Sequence, residues 1–91
     1  MFRIFVSSHC AREIRDLHQR NPELPAVLEK LKALLQEDPH NISRRYDIKK
    51  LKGIKHGQGQ WRIRSGKYRL RYDVFGKDVI LYSFRHRKEA Y

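Results

Sequence analysis

Between Gln60 and Tyr72, apolar and basic side chains alternate with a period of two. Trp61 and Ile63 alternate with Arg62 and Arg64, and Tyr68, Leu70 and Tyr72 with Arg69 and Arg71. That period belongs to half-buried β-strands and excludes a helix. Ser65-Gly66 lies between the two runs, with glycine where a two-residue hairpin turn requires positive φ. A turn at those residues sets Trp61 opposite Leu70, Ile63 opposite Tyr68, Arg62 opposite Arg69 and Arg64 opposite Lys67. One face of the hairpin is then apolar and the other cationic. Like charges placed opposite each other destabilise a sheet, so a face of this kind implies an anionic partner, with nucleic acid the leading candidate.

The +11 net charge is distributed in the same sense. Residues 1–43 carry six basic and six acidic side chains, and the whole excess falls in residues 44–91. Such asymmetry points to phosphate, with acidic proteins and membrane surfaces as other possible partners. With 91 residues, the chain is expected to form one domain over 1–91 with a single modest core. Cys10 is the lone cysteine, which excludes a disulfide framework, and the five histidines lack metal-ligand spacing. The expectation is therefore no metal and no cofactor. Phe2–Val6 is too short for a signal sequence and no apolar run approaches a membrane span, so a cytoplasmic location without a membrane partner is expected.

Phe2-Arg3-Ile4-Phe5-Val6 reads as a strand, and Ser7-Ser8 as the cap of a helix carrying Ala11, Ile14 and Leu17. Asn21-Pro22 ends that helix. Leu24, Leu28, Leu31 and Leu35 stripe a second helix that stops at Asp38-Pro39. Residues 40–59 read as a flexible basic connection anchored by Leu51 and Ile54. A second turn at Gly76-Lys77 leads into Val79-Ile80-Leu81-Tyr82-Ser83-Phe84, a strand expected to be covered on both faces. The fold class is α+β, in the order β-α-α-β-β-β, with two N-terminal helices packed on one face of an antiparallel sheet. The same turn arithmetic pairs Tyr72 with Leu81 and Val74 with Val79. It places Tyr82 and Phe84 opposite Arg71 and Arg69, either on the basic face, which His86 joins, or beneath the 40–59 segment. Rings interleaved with arginine suit single-stranded RNA, whose bases stack while phosphates meet charge. The candidate RNA-binding residues are Lys49, Lys50, Lys52, Lys55, Lys67, Arg71, Tyr82 and Phe84.

Three motifs, Leu51-Lys52-Gly53, Trp61-Arg62-Ile63-Arg64-Ser65-Gly66-Lys67-Tyr68-Arg69-Leu70-Arg71-Tyr72, and His86-Arg87-Lys88-Glu89-Ala90-Tyr91, together resemble the RelE/ParE superfamily of bacterial toxins. The resemblance covers essentially the whole chain and implies a microbial-RNase-like fold. For the RelE branch it implies a type II toxin that cuts mRNA in the ribosomal A site, in contact with 16S rRNA. A cognate acidic antitoxin would hold it inactive. By position, Arg62 and Arg64 match the basic pair at the scissile phosphate, where RelE has lysine, and Arg69 matches the arginine of the Tyr-Arg element. Arg85 or Arg87 matches the C-terminal arginine, Tyr91 a tyrosine that assists catalysis, and His86 a histidine acid or base of some relatives. Cleavage by 2′-hydroxyl attack requires two proton transfers and stabilisation of a crowded phosphate, for which arginines are suited. Histidine has an unperturbed pKa near neutrality, so His86 suits either proton transfer, whereas Tyr91 would act as a base only if surrounding cations lowered it from about 10. The alternatives are a ParE-like inhibitor of DNA gyrase without RNase activity and a non-catalytic basic RNA-binding module.

Overall fold

The computed structural model describes residues 1–88. Strand β1 (Arg3–Val6) leads to Ser7, whose extended backbone and side chain cap helix α1 (Ser8–Arg20): Ser7 Oγ accepts from the Cys10 amide at 3.1 Å. His18 and Arg20 occupy the last turn, where cations complement the carbonyl end of the helix dipole. Helix α2 (Leu24–Glu37) has Pro25 in its first turn, where the missing amide hydrogen has no intrahelical partner to lose. Leu24, Leu28, Leu31 and Leu35 are all buried, as the stripe predicts. Strands β2 (Ile48–Lys50), β3 (Trp61–Ser65), β4 (Tyr68–Phe75) and β5 (Asp78–His86) complete a five-stranded sheet ordered β1-β5-β4-β3-β2.

The α+β architecture agrees with the sequence reading, with two differences in the sheet. It is mixed, because β1 pairs with β5 in parallel, Arg3 opposite Asp78 through Val6 opposite Leu81. It also contains β2, an edge strand antiparallel to β3, inside the stretch expected to be irregular. Both helices bury their apolar stripes on one sheet face, against Ile63, Tyr68, Leu70, Tyr72, Val79, Leu81 and Phe84. The other face is open except where the 57–60 segment covers Asp73.

Register departs from expectation at two places. In the first hairpin the turn is Gly66-Lys67, with Gly66 at φ +57°, so Trp61 faces Tyr72, Ile63 faces Leu70, Arg62 faces Arg71 and Arg64 faces Arg69. The displacement from the expected pairs is two residues, which preserves every side chain's face. It also stacks the Trp61 and Tyr72 rings, with centroids 6.5 Å apart.

The second departure matters more. Tyr72 faces Leu81 and Val74 faces Val79, as expected, but a bulge follows. Arg71 then faces Ser83 instead of Tyr82, Arg69 faces Arg85 instead of Phe84, and Tyr68 faces His86. The extra residue reverses the alternation of β5 beyond it. Phe84 consequently enters the core at zero exposure, opposite Leu70, a burial worth about 1.5–3 kcal/mol for a side chain of this size. β5 is also covered less evenly than expected: Val79 and Leu81 are buried, while Ile80 and Tyr82 are only half-buried on the open side.

The 40–59 connection is fastened and not flexible in the way its glycines suggest. Asp38 accepts from the amides of Ile42 and Ser43 and from the Ser43 hydroxyl, and the Tyr72 hydroxyl donates to the Pro39 carbonyl at 2.6 Å. Asp73, wholly buried on β4, accepts three amide hydrogen bonds from the end of the loop: Gly57 at 2.9 Å, Gly59 at 2.7 Å and Gln60 at 2.9 Å. Arg71 donates to the carbonyls of Gly59 and Gln58 at 3.0 and 3.1 Å. Gly59 has φ +79°, and a Cβ there would lie 3.3 Å from the Arg71 side chain, so both conformation and space select glycine. Leu51 and Ile54 are half-buried, as anchors would be.

Asp73→Ala would leave three amides without their acceptor, the Gly59 amide in a buried position and those of Gly57 and Gln60 in part-buried ones. We expect a loss of about 3 kcal/mol or more in urea-unfolding stability, with Asp73→Asn intermediate. An Asp73→Ala protein of unchanged stability would show that the loop is held by something else.

Candidate active site

The open face carries the cationic residues that the alternation predicts, and the strand pairings concentrate them. Arg62 faces Arg71 across β3 and β4, Arg64 faces Arg69, and Arg69 faces Arg85 across β4 and β5. Four of these, Arg62, Arg69, Arg71 and Arg85, line a cleft of about 510 Å³ together with His9, Leu51 and Ser83.

Carboxylates stand around this cluster. Asp47 lies 2.7 Å from Arg64 and 3.7 Å from Arg62. Glu13 accepts from Arg85 Nε at 2.8 Å. The Asp47–Arg64 pair is about half exposed, so it is worth about 0–1 kcal/mol and an incoming phosphate can replace it at little cost, whereas Glu13 is mostly shielded and held on both oxygens. Arg71 is committed differently, since its guanidinium holds the Gln58 and Gly59 carbonyls. It shapes the cleft wall by fixing the loop.

The helix side and the open side meet at the outer edge of β5. β1 covers that edge only as far as Leu81, and beyond it the first turns of α1 take over. The Ser7 hydroxyl donates to the Tyr82 carbonyl at 3.4 Å, and Glu13 Oε1 accepts the Phe84 amide at 3.1 Å. This path brings His9, from the helix layer, to the mouth of a cleft on the opposite face. His9 Nε2 is 3.3 Å from Glu13 Oε1.

The sequence-predicted residues therefore divide. Arg62, Arg69, Arg85 and Arg71 come together. Arg64 leans away toward Asp47 and lines a separate groove against α2 with Lys30, Leu31 and Leu34. Arg87 lies beyond the end of β5, exposed, with its amide bonded to the Lys67 carbonyl at 2.7 Å. His86 does not join the basic face, because the bulge turns it to the helix side with its ring edge against Tyr68. Phe84 is in the core and unavailable for base stacking. Tyr82 is half-buried on the open side, and burial, with the Asp73 charge adding to it, raises its hydroxyl above the usual tyrosine value. Lys49, Lys50, Lys52 and Lys55 are exposed on β2 and the following turn, outside the cleft lining. Lys67 is drawn to the helix side, 2.8 Å from Glu23. Tyr91 lies outside the described residues.

His9, Ser83 and Glu13 escaped the sequence reading. The His9-x-x-x-Glu13 spacing on one helix face was visible, but its link to the arginines arises from α1 lying along β5, which no local pattern encodes. Among the described residues there is no cluster of histidine, cysteine and carboxylate able to hold a metal ion, and no helix long and apolar enough to cross a membrane.

At the other end of the sheet, Glu23 accepts from Lys67 and from the Tyr68 hydroxyl, the latter at 2.7 Å. The Lys67 hydrogen bond, followed by that of Tyr68, lowers its carboxyl from 4.5 to about 2. Burial and the Glu23 partner push Tyr68 up to about 12. Because the folded-state value of Glu23 is depressed, its contribution to stability is complete above pH 4.5 and is lost as pH falls toward about 2. Glu23→Gln should therefore flatten the acid limb of the thermal-stability profile in that window and leave the cleft arginines unaffected. An unchanged acid limb would refute the pairing.

The sequence matches the family model of the ParE toxin of type II toxin–antitoxin systems, parDE, over residues 8–91. No curated protein matches. Among solved structures, the fold is shared with a chain of the toxin–antitoxin complex RelBE2 from Mycobacterium tuberculosis, at 24% identity, 94% of this chain, 98% of that chain and a TM-score of 0.71. The archaeal RelE–RelB complex from Pyrococcus horikoshii OT3 matches at 21% identity over 98% of both chains, with a TM-score of 0.68. YafQ from Escherichia coli BL21(DE3) matches at 16% identity over 97% of this chain and 96% of that one, with a TM-score of 0.70.

Proposed function

The chain belongs to the ParE toxin family of type II toxin–antitoxin systems, within the RelE/ParE superfamily, and on that premise we propose that it is a ribosome-dependent mRNA endonuclease. The observation that carries this reading is the cleft lined by Arg62, Arg69, Arg71 and Arg85. A gyrase-binding surface has no need of converging guanidinium groups in a concave site, whereas a phosphodiester under attack does. Arginine offers planar, bidentate donors to phosphate oxygens and keeps its charge at any physiological pH.

In this reading Arg69 and Arg85, facing each other across β4 and β5, hold the scissile phosphate and stabilise the charge that builds on it. Arg62 binds from the third strand. Arg85, and not Arg87, is the C-terminal arginine of the site, because only Arg85 lines the cleft. Arg64 and the exposed lysines 49, 50, 52 and 55 meet neighbouring phosphates of mRNA or 16S rRNA. The 2′-hydroxyl attacks phosphorus and the 5′-oxygen leaves. Tyr91 is assigned the proton given to that oxygen, a transfer its neutral phenol is suited to make. His86, on the helix side, receives no chemical role.

A cognate acidic antitoxin, of the RelB type named in the related complexes, would neutralise the same face, and the site of action is the cytoplasm, where ribosomes are. The second reading is the ParE-like one, gyrase inhibition without RNase activity, and the matching family model is the one that carries the ParE name.

Primer extension on a defined mRNA, with the protein added to translating ribosomes and separately to naked RNA, tests the proposal. Cuts within codons only when ribosomes are present support it. No cuts in either, together with loss of gyrase supercoiling activity, supports the alternative. Arg69→Ala and Arg85→Ala are each expected to reduce cleavage about 10²–10³-fold, as loss of one charge-stabilising donor does elsewhere, while antitoxin binding persists.

A further inference from the structure

The arginines of the cleft can stabilise charge but cannot move a proton, because a guanidinium stays protonated in any protein environment. Cleavage nevertheless requires that the attacking 2′-hydroxyl lose one. Among the described residues that line the cleft, His9 is the one that carries an imidazole, the side chain most often used to accept a proton in general-base catalysis.

We propose that His9 takes the proton from the 2′-hydroxyl and that Glu13 positions its ring. The inference rests on the cleavage reading above. Glu13 is held on both oxygens: Oε1 accepts the Phe84 amide at 3.1 Å, and Oε2 accepts from Arg85 Nε at 2.8 Å. Its side chain is 17% exposed, so the carboxylate is a fixed reference point. With His9 Nε2 at 3.3 Å from Oε1, the neutral ring directs its Nε2–H to Glu13, leaving Nδ1 as the acceptor for the substrate proton. Glu13 would then stabilise the imidazolium that forms.

The same carboxylate ties His9 to Arg85, so the proton acceptor and a phosphate-holding arginine keep a constant relative position. That fixed geometry is what an in-line attack requires. The step balances: the O2′–P bond forms and the P–O5′ bond breaks. The 2′ proton goes to Nδ1, and a neutral donor, the Tyr91 phenol or water, protonates O5′. The imidazolium then returns its proton to that donor. The products are a 2′,3′-cyclic phosphate and a 5′-hydroxyl.

The charged groups facing His9 are Glu13 on its own helix, Arg85 on β5, Arg69 and Arg71 on β4, and Arg62 on β3. Histidine is the side chain whose unperturbed charge change falls between about pH 5 and 8, so comparison with the His9 variants assigns any pH dependence seen there.

The test is the single-turnover rate of ribosome-dependent cleavage across about pH 5 to 8 for the wild type, His9→Ala, His9→Gln and Glu13→Gln. For the wild type, the rate should rise with pH and level off once the imidazole is neutral. His9→Ala and His9→Gln should both be slower by about 10²–10⁴-fold and lose that rise, while ribosome and antitoxin binding remain. Glu13→Gln should retain a rise with a shifted midpoint. Wild-type cleavage alongside His9 variants with the same rate and pH profile would overturn this inference and leave the endonuclease reading standing. Absence of wild-type cleavage would overturn both.

Discussion

Repulsion among five arginines is the constraint on which this structure depends. Arg62, Arg64, Arg69, Arg71 and Arg85 project from three neighbouring strands and face one another in cross-strand pairs. Such pairs are destabilising in a sheet. Three acidic residues make the arrangement tenable, each reaching it from a different part of the chain. Asp47 comes from the approach to β2, Glu13 from α1, and Asp73 from within β4. Asp73 fixes the loop whose carbonyls Arg71 holds. The cationic face and the fastening of the 40–59 segment are thus one electrostatic arrangement.

Much of this was legible in the sequence, for a definite reason. Period-two alternation records which face a residue occupies, and two-residue turns record which strands are neighbours. The first hairpin illustrates both the strength and the limit of such reading. Its turn fell one residue from the expected place, which displaced each cross-strand partner by two, and no side chain changed face because that displacement is even. The leucine stripe of α2 was equally direct, since helical spacing and burial on one sheet face carry the same information.

What escaped was non-local. The bulge in β5 carries no signature in its own residues. It is explained by the burial of Phe84 and by the Phe84 amide meeting Glu13, and Glu13 lies 71 positions earlier in the chain. The ordered loop before β3 escaped for a similar reason. Three glycines with positive φ look permissive until Asp73 appears beneath the end of the loop, accepting the amides of two of them, Gly57 and Gly59, and of Gln60. His9 was set aside for lack of metal-ligand spacing, a criterion with no bearing on a residue whose neighbours are arginines from another layer.

The bulge gives the end of β5 an arithmetic character. Upstream of it the strand is pinned by two partners, β1 and β4, and its alternation is not negotiable. Downstream, which residue the cleft displays is decided by counting from the bulge and not by side-chain chemistry. Loss of one residue there would exchange Arg85 for its neighbours and eject Phe84 from the core together. Gain or loss of two would preserve the core pattern while presenting a different side chain to the same phosphate site. Length changes in this short stretch are therefore a route by which one scaffold acquires different chemistry without being rebuilt, and even-numbered changes are the ones that the core tolerates.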